Sequence, residues 1–330
     1  MASNDNLAVV RLACGSEHLA ALLGAHDQNL RTVEEVLQVR VQPREDCLEI
    51  SGQTEATMQA QAALGQLLAL ARAGQGPSAD DVRLALRRAT SAAPGAREEF
   101  APEPLIVTHR GRQVRAKTPG QLAYVNAVRT HDLVFCTGPA GTGKTYLAMA
   151  MAASALRRGE CSRIILTRPI VEAGEELGFL PGDILEKVDP YLRPLHDALH
   201  EVMGADQFQR HLARGTIEVV PLAYMRGRTL NDAFIVLDEA QNTTPGQMKM
   251  ALTRMGFGSK MIATGDTTQT DLPPHIESGI RHAMETLRGI AGLAMVELDR
   301  ADIVRHDLVQ RIVLAYERVE RKRGEPGVEE

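Results

Sequence analysis

Apolar and polar positions alternate along residues 6–14 (NLAVVRLAC), which predicts a strand. Helical spacing follows over residues 17–23 and 29–37. Alternation returns from Val39 and through CLEISG at 47–52, with a turn at Glu45 and Asp46. A long helix rich in Ala, Leu and Gln is expected from about residue 55 to 72. These elements make a strand–helix–helix–strand–strand–helix unit of about 70 residues. The break AGQGPSAD (73–80) precedes a further helix opened by Ser78 as its N-cap. Residues 90–104 are rich in Ala, Pro and Gly and read as a linker, and 105–118 as a hairpin turning at 110–112.

From His131 onward, short apolar runs alternate with helical patterns. The strand candidates are DLVFCTG, RIILTRP, IEVVPL, AFIVLDE, KMIATGD and LAMVELD. Such alternation implies an α/β fold with a parallel sheet flanked by helices, and ligands at the carboxyl ends of the strands. No internal repeat is visible, and the end ERKRGEPGVEE reads as a charged tail.

Composition narrows the classes only a little. The 330 residues suffice for two domains, and 44% apolar with 24% charged residues is ordinary for a globular protein. A net charge of −5 offers no global attraction to nucleic acid, so any such contact must rest on a local patch. With no Trp and few other aromatics, a base-stacking platform is not evident. Cys14, Cys47, Cys136 and Cys161 stand singly, without metal-ligand spacing, which points to buried thiols in a reducing compartment. No leader pattern and no run of about 18 apolar residues occurs, so a cytoplasmic protein without a membrane span is expected.

The chemistry concentrates in four stretches. Gly138-Pro139-Ala140-Gly141-Thr142-Gly143-Lys144-Thr145 matches the phosphate-binding loop G-x-x-x-x-G-K-[ST] in full, between a strand run and a helical run. Its backbone N–H groups and the helix start suit phosphate oxygens. Lys144 is expected on the β- and γ-phosphates and the Thr145 hydroxyl on Mg²⁺. FIVLDEAQN (234–242) ends an apolar strand with Asp238, placed to hold Mg²⁺ through water, and Glu239, placed to polarise the attacking water. That glutamate favours hydrolysis of ATP over transfer by a kinase, and no N-K-x-D motif reads guanine. In ATGDTTQTDLP (263–273), Gln269 either senses the γ-phosphate or belongs to a capped Thr-rich turn. In TPGQLAYVNAV (118–128), Gln121 either pairs with the N6 and N7 edge of adenine or serves as a capping residue.

TPGQ, GPAGTGKT, the block RPIVEAGEELGFLPGDILEKVDPYLRPLHDAL, VLDEAQN and TGDTTQTDLP together resemble the PhoH family of ATPases, from roughly residue 105 to 317. The Walker motifs are widely shared; the GEELGFLPGDILEKVDPYLRPL block is far more specific. The resemblance implies a RecA-like P-loop NTPase domain related to the first motor domain of superfamily 1 helicases. With room for one such domain, an arginine must reach the γ-phosphate from a neighbouring copy, which implies a homo-oligomer such as a hexamer. Similarity favours Arg305 over Arg300 for this role; the alternative pairs both with Asp302 or Asp307. The 168–199 block sits where superfamily 1 enzymes touch single-stranded nucleic acid. It offers Arg168, Lys187 and Arg193 for phosphates and Phe179 or Tyr191 for a base. Five acids, Glu172, Glu175, Glu176, Asp183 and Glu186, argue equally for an oligomer interface or a lid.

Residues 6–73 resemble a KH-type RNA-binding domain. The place of the GXXG loop reads Gly24-Ala25-His26-Asp27, where an acid replaces the second glycine and would repel phosphate. RNA binding and protein docking therefore stand side by side for this unit. The domains implied are 1–75 (KH-like), 76–103 (helical segment and linker), 104–320 (RecA-like ATPase) and 321–330 (charged tail). The family implies ATP and Mg²⁺ as cofactors, single-stranded or structured RNA as partner, and work alongside an endoribonuclease of the YbeY type in RNA processing or decay. A nucleotide-switched protein scaffold with slow turnover and a P-loop kinase are the other classes open to such a chain.

Overall fold

The computed structural model describes residues 7–74, 76–91, 102–170 and 184–304, together with positions 308, 309, 312, 315 and 316. The chain divides into two compact units, one built on the residues before 102 and one on residues 102–305.

In the first unit, β1 (Leu7–Ala13), α1 (Ser16–Leu23), α2 (Gln28–Leu37), β2 (Arg40–Pro43), β3 (Cys47–Gln53) and α3 (Thr54–Arg72) follow in the order the alternation predicts. The strands form an antiparallel sheet in the order β1-β3-β2. Leu48 and Ile50 of β3 and Val41 of β2 turn into one core with α3, whose Ala60, Ala63, Leu64 and Leu67 are fully buried. The helix α4 (Ala79–Ser91) packs into the same core through Val82, Ala85, Leu86 and Ala89, which share one helical face. The segment read from sequence as standing between the domains thus contributes its apolar stripe to the first one. Between α1 and α2, Gly24, His26 and Asp27 all have positive φ (73°, 53° and 56°), which makes the connection a tight exposed turn.

The second unit opens with a short hairpin, β4 (Ile106–Val107) and β5 (Gln113–Val114), followed by α5 (Pro119–Thr130). The six apolar runs then become six parallel strands: β6 (Leu133–Thr137), β7 (Arg163–Arg168), β8 (Ile217–Pro221), β9 (Ala233–Leu237), β10 (Lys260–Gly265) and β11 (Leu293–Glu297). Their order in the sheet is β11-β6-β10-β9-β7-β8. Every residue of β9 is buried and nearly every one of β6, β7 and β10, as befits strands covered on both faces. The edge strands β8 and β11 are only half-buried. The helices α6 (Lys144–Arg158), α7 (Ile184–Met203), α8 (Ala205–Ala213), α9 (Pro245–Leu252) and α10 (Gly279–Thr286) complete the unit. The strand β6, second from the edge, lies between two strands that come much later in sequence, so its carboxyl end is framed by the turns after β10 and β11.

Candidate nucleotide site

The loop 138–143 joins β6 to α6 and is held by bonds from three directions. Gly138 donates its N–H to the carbonyl of Gly265 at the end of β10 (3.2 Å). The Thr142 hydroxyl donates to the Pro139 carbonyl (2.9 Å), and Val304 donates its N–H to the Gly141 carbonyl (3.0 Å). Gly138 has φ 146°, and a Cβ there would collide with the carbonyl oxygen of Leu298. Only glycine allows that approach of the chain beyond β11.

Lys144, the first residue of α6, is buried and its ammonium turns back into the loop. It donates to the carbonyls of Gly138 (2.6 Å) and Pro139 (2.9 Å). Burial lowers its affinity for the proton, partly offset by Cys136, Asp266, Glu239 and Asp238. A cation lodged among carbonyls at the start of a helix suits a phosphate chain, whose oxygens would replace those carbonyls.

The Thr145 hydroxyl donates to Oδ1 of Asp238 at 2.7 Å. The Thr264 hydroxyl, from β10, donates to the same oxygen at 2.6 Å. Asp238 is buried at the end of β9, and its own N–H is fixed on the Thr167 carbonyl of β7 (2.9 Å). A hydroxyl and a carboxylate side by side form a hard oxygen set of the kind that holds Mg²⁺. Nearby, Asp266 is buried, and its Oδ2 accepts no hydrogen bond among the described residues. An orphaned carboxylate oxygen of this kind suits the water shell of a hydrated cation.

Glu239 follows in a left-handed conformation (φ 50°), which swings its side chain out of the strand direction. Gln241 donates Nε2 to Glu239 Oε2 (2.5 Å), while Arg168 at the end of β7 lies 3.6 Å from Oε1. The other end of Gln241 accepts the N–H of Asp266 (3.1 Å). One amide thereby joins Glu239 to the turn after β10. Gln269 sits on that turn, exposed, with its N–H on the Asp266 carbonyl (3.2 Å).

Gln121 reaches the loop, but its amide faces inward. Oε1 accepts the N–H of Lys117 (2.6 Å), and Nε2 donates to the Thr142 carbonyl (2.9 Å). In this structure it braces the phosphate loop. Its backbone N–H is capped by Thr118, whose hydroxyl donates in turn to Asp302 (2.5 Å). Asp302 also accepts the N–H of Asp299 (3.0 Å), so its carboxylate is occupied by α5 and by its own turn.

Arg305 lies outside the described residues, as do Phe179, Glu172, Glu175, Glu176 and Asp183; the side chains of Glu186 and Lys187 do too. Arg168, offered by the sequence as a contact for nucleic-acid phosphates, lies beside Glu239. Gln241 and Thr264 went unnoticed in the sequence, and Asp302 was weighed only as a partner for Arg300 or Arg305. Gln241 lies inside the DEAQ stretch, and its position two residues after Glu239 was the available signal.

Fold and site together define a RecA-like, P-loop NTPase-like α/β domain. The chain belongs to the PhoH-like protein family, whose model matches residues 113–317. It is 53% identical over 298 residues to a PhoH-like protein of Bacillus subtilis, covering 90% of this chain and 93% of that one. It is 48% identical over 304 residues to a PhoH-like protein of Synechocystis, covering 92% and 93%. Among solved structures, the Pif1 helicase of Candida albicans aligns with TM-score 0.33 and 17% identity, covering 61% of this chain and 43% of that one. Among the described residues no helix is long and apolar enough to cross a membrane.

Proposed function

We propose that this chain hydrolyses ATP in a magnesium-dependent reaction and couples it to RNA binding or remodelling. The observation that carries the first half is the Thr145 hydroxyl on the Asp238 carboxylate, with Lys144 before the one and Glu239 after the other. Magnesium, when bound, neutralises charge on the phosphates. Thr145 and Asp238 would hold it, and Lys144 would hold phosphate oxygens. Glu239 would accept the proton of the attacking water, and Gln269 would report on the γ-phosphate. Gln121 would meet an adenine edge by turning its amide away from Lys117 and Thr142.

The RNA half is supported by the strand and helix order of the first unit, which is that of a KH-type domain. An arginine from a neighbouring copy, Arg305 in our reading, would complete the site in a homo-oligomer such as a hexamer. Partnership with a YbeY-type endoribonuclease belongs to the same proposal.

The test is steady-state ATP hydrolysis at low salt, with and without single-stranded RNA, beside Glu239→Gln. Turnover that rises severalfold with RNA and disappears in the variant supports the whole reading. Turnover that depends on Glu239 and ignores RNA would remove the RNA half and leave a nucleotide-switched scaffold.

A further inference from the structure

We infer that the cavity between α6 and α8 is a binding site for a phosphate-type oxyanion. It is open to solvent, offers about 300 Å³, and is lined by the exposed Arg157, Arg210 and Arg214 with His211, over an apolar floor that includes Leu156 and Met203. Among the described residues no carboxylate lines it. In a chain of net charge −5, this gathering of cations does not follow from composition.

The local construction favours a ligand with several oxygens. Arg157 spends one N–H on the Val107 carbonyl (3.2 Å), and Arg210 spends Nε on the Asp206 carbonyl (3.2 Å). Each bond fixes a guanidinium by one of its five donors, and the forked geometry of the others matches phosphate. His211 Nδ1 is shielded from solvent and has no hydrogen-bond partner among the described residues. Burial, then Arg214 and Arg210, disfavour a proton on that ring, and no acid opposes them. The last turns of α6 and α8 explain part of the positive charge, since a helix end carries about half a negative unit. Three guanidiniums exceed what two such ends neutralise.

The site is separate from the phosphate loop. Lys144 and Arg157 stand at opposite ends of α6, thirteen residues apart (157 − 144), or roughly 20 Å at the rise of an α-helix. The inference therefore stands whether or not the loop hydrolyses ATP.

The test is an NMR titration of the full chain labelled at histidine, with His211 assigned through His211→Gln and ionic strength held constant with chloride. Inorganic phosphate is one arm and a short oligouridylate the other. A saturating shift of the His211 ring with phosphate supports a site for the free anion. A shift with the oligonucleotide alone supports the same site and assigns the phosphate to a polynucleotide. The Arg210→Gln/Arg214→Gln variant should raise the midpoint by at least roughly tenfold. A ring that moves with neither probe, or a response that survives unchanged in that variant, overturns the proposal.

Discussion

The hydroxyl of Thr145 donates to Oδ1 of Asp238, joining the first turn of α6 to the end of β9 across 93 positions of sequence. Thr264 donates to the same oxygen, so the carboxylate is aimed by two hydroxyls from different elements. Replacing Thr264 by Val removes one of them at nearly constant shape. The magnesium concentration for half-maximal ATP hydrolysis should rise about fivefold, the equivalent of ~1 kcal/mol for one hydrogen bond. Nucleotide binding measured without magnesium should not change. An unaltered magnesium curve would mean that Thr264 only fills the core.

Gln241 connects Glu239 to the turn carrying Asp266 and Gln269. Gln241→Ala should lower kcat by at least roughly tenfold with little change in KM, since what is lost is the aim of the base. It should also cost about 1–3 kcal/mol in stability, because the buried N–H of Asp266 loses its acceptor. Gln241→Glu separates the two effects: it keeps an acceptor for Asp266 but cannot donate to Glu239, so stability should recover better than turnover. Equal loss of both in the two variants would reduce Gln241 to a packing residue.

Gly120 stands where a Cβ would overlap the Asp302 carboxylate. Gly120→Ala should therefore break the Thr118–Asp302 bond and destabilise the second unit by about 1–3 kcal/mol, read as a lower urea midpoint. The same residue at an open glycine such as Gly246, whose nearest neighbour would be 4.0 Å away, is the control and should be close to neutral. If both variants melt alike, the contact with Asp302 has no structural weight.

Lys144 carries a pH signature. Its folded-state pKa lies below the ordinary lysine value because of burial, so between the two values the unfolded chain binds more protons than the native one. Native stability contributed by this residue is lowest at neutral pH and rises as pH climbs through the folded pKa toward 10.5. Urea midpoints of the wild type, measured relative to Lys144→Met, should therefore increase from pH 8 toward the alkaline end. A difference that stays flat or falls would contradict the assigned shift.

Much of this was legible in the chain. The six strands of the second unit declare themselves because apolar runs such as FIVL and RIIL are buried on both faces. The loop at 138–145 is a contiguous motif, and Asp238 and Glu239 end a strand whose run is unmistakable. The order of the strands was not legible, because periodicity says nothing of which strand lies beside β6. For the same reason the bonds of Thr264 to Asp238 and of Asp302 to Thr118 stayed hidden: the partners are 26 and 184 positions away. The inward turn of Gln121 was missed because the Thr142 carbonyl that holds it belongs to another element. α4 shows the opposite case. Its apolar spacing at 82, 85, 86 and 89 was readable, and the linker beside it drew attention away from a face that needed a core.

The placement of β6 between β10 and β11 has a meaning for synthesis. The loop at 138–145 leaves the ribosome early, but Gly138 waits for Gly265, the Thr137 carbonyl for Leu298, and Gly141 for Val304. The wait spans 159 residues (304 − 145), which at about 5–20 residues per second is roughly 8 to 32 seconds. Until β10 is made, the strand before the loop has no neighbour on either side. A half-made chain carries the whole phosphate motif and its local bonds from Gln121 and Thr142, but none of those from β10 and the chain beyond β11, so translation itself withholds the finished pocket until the domain is almost complete.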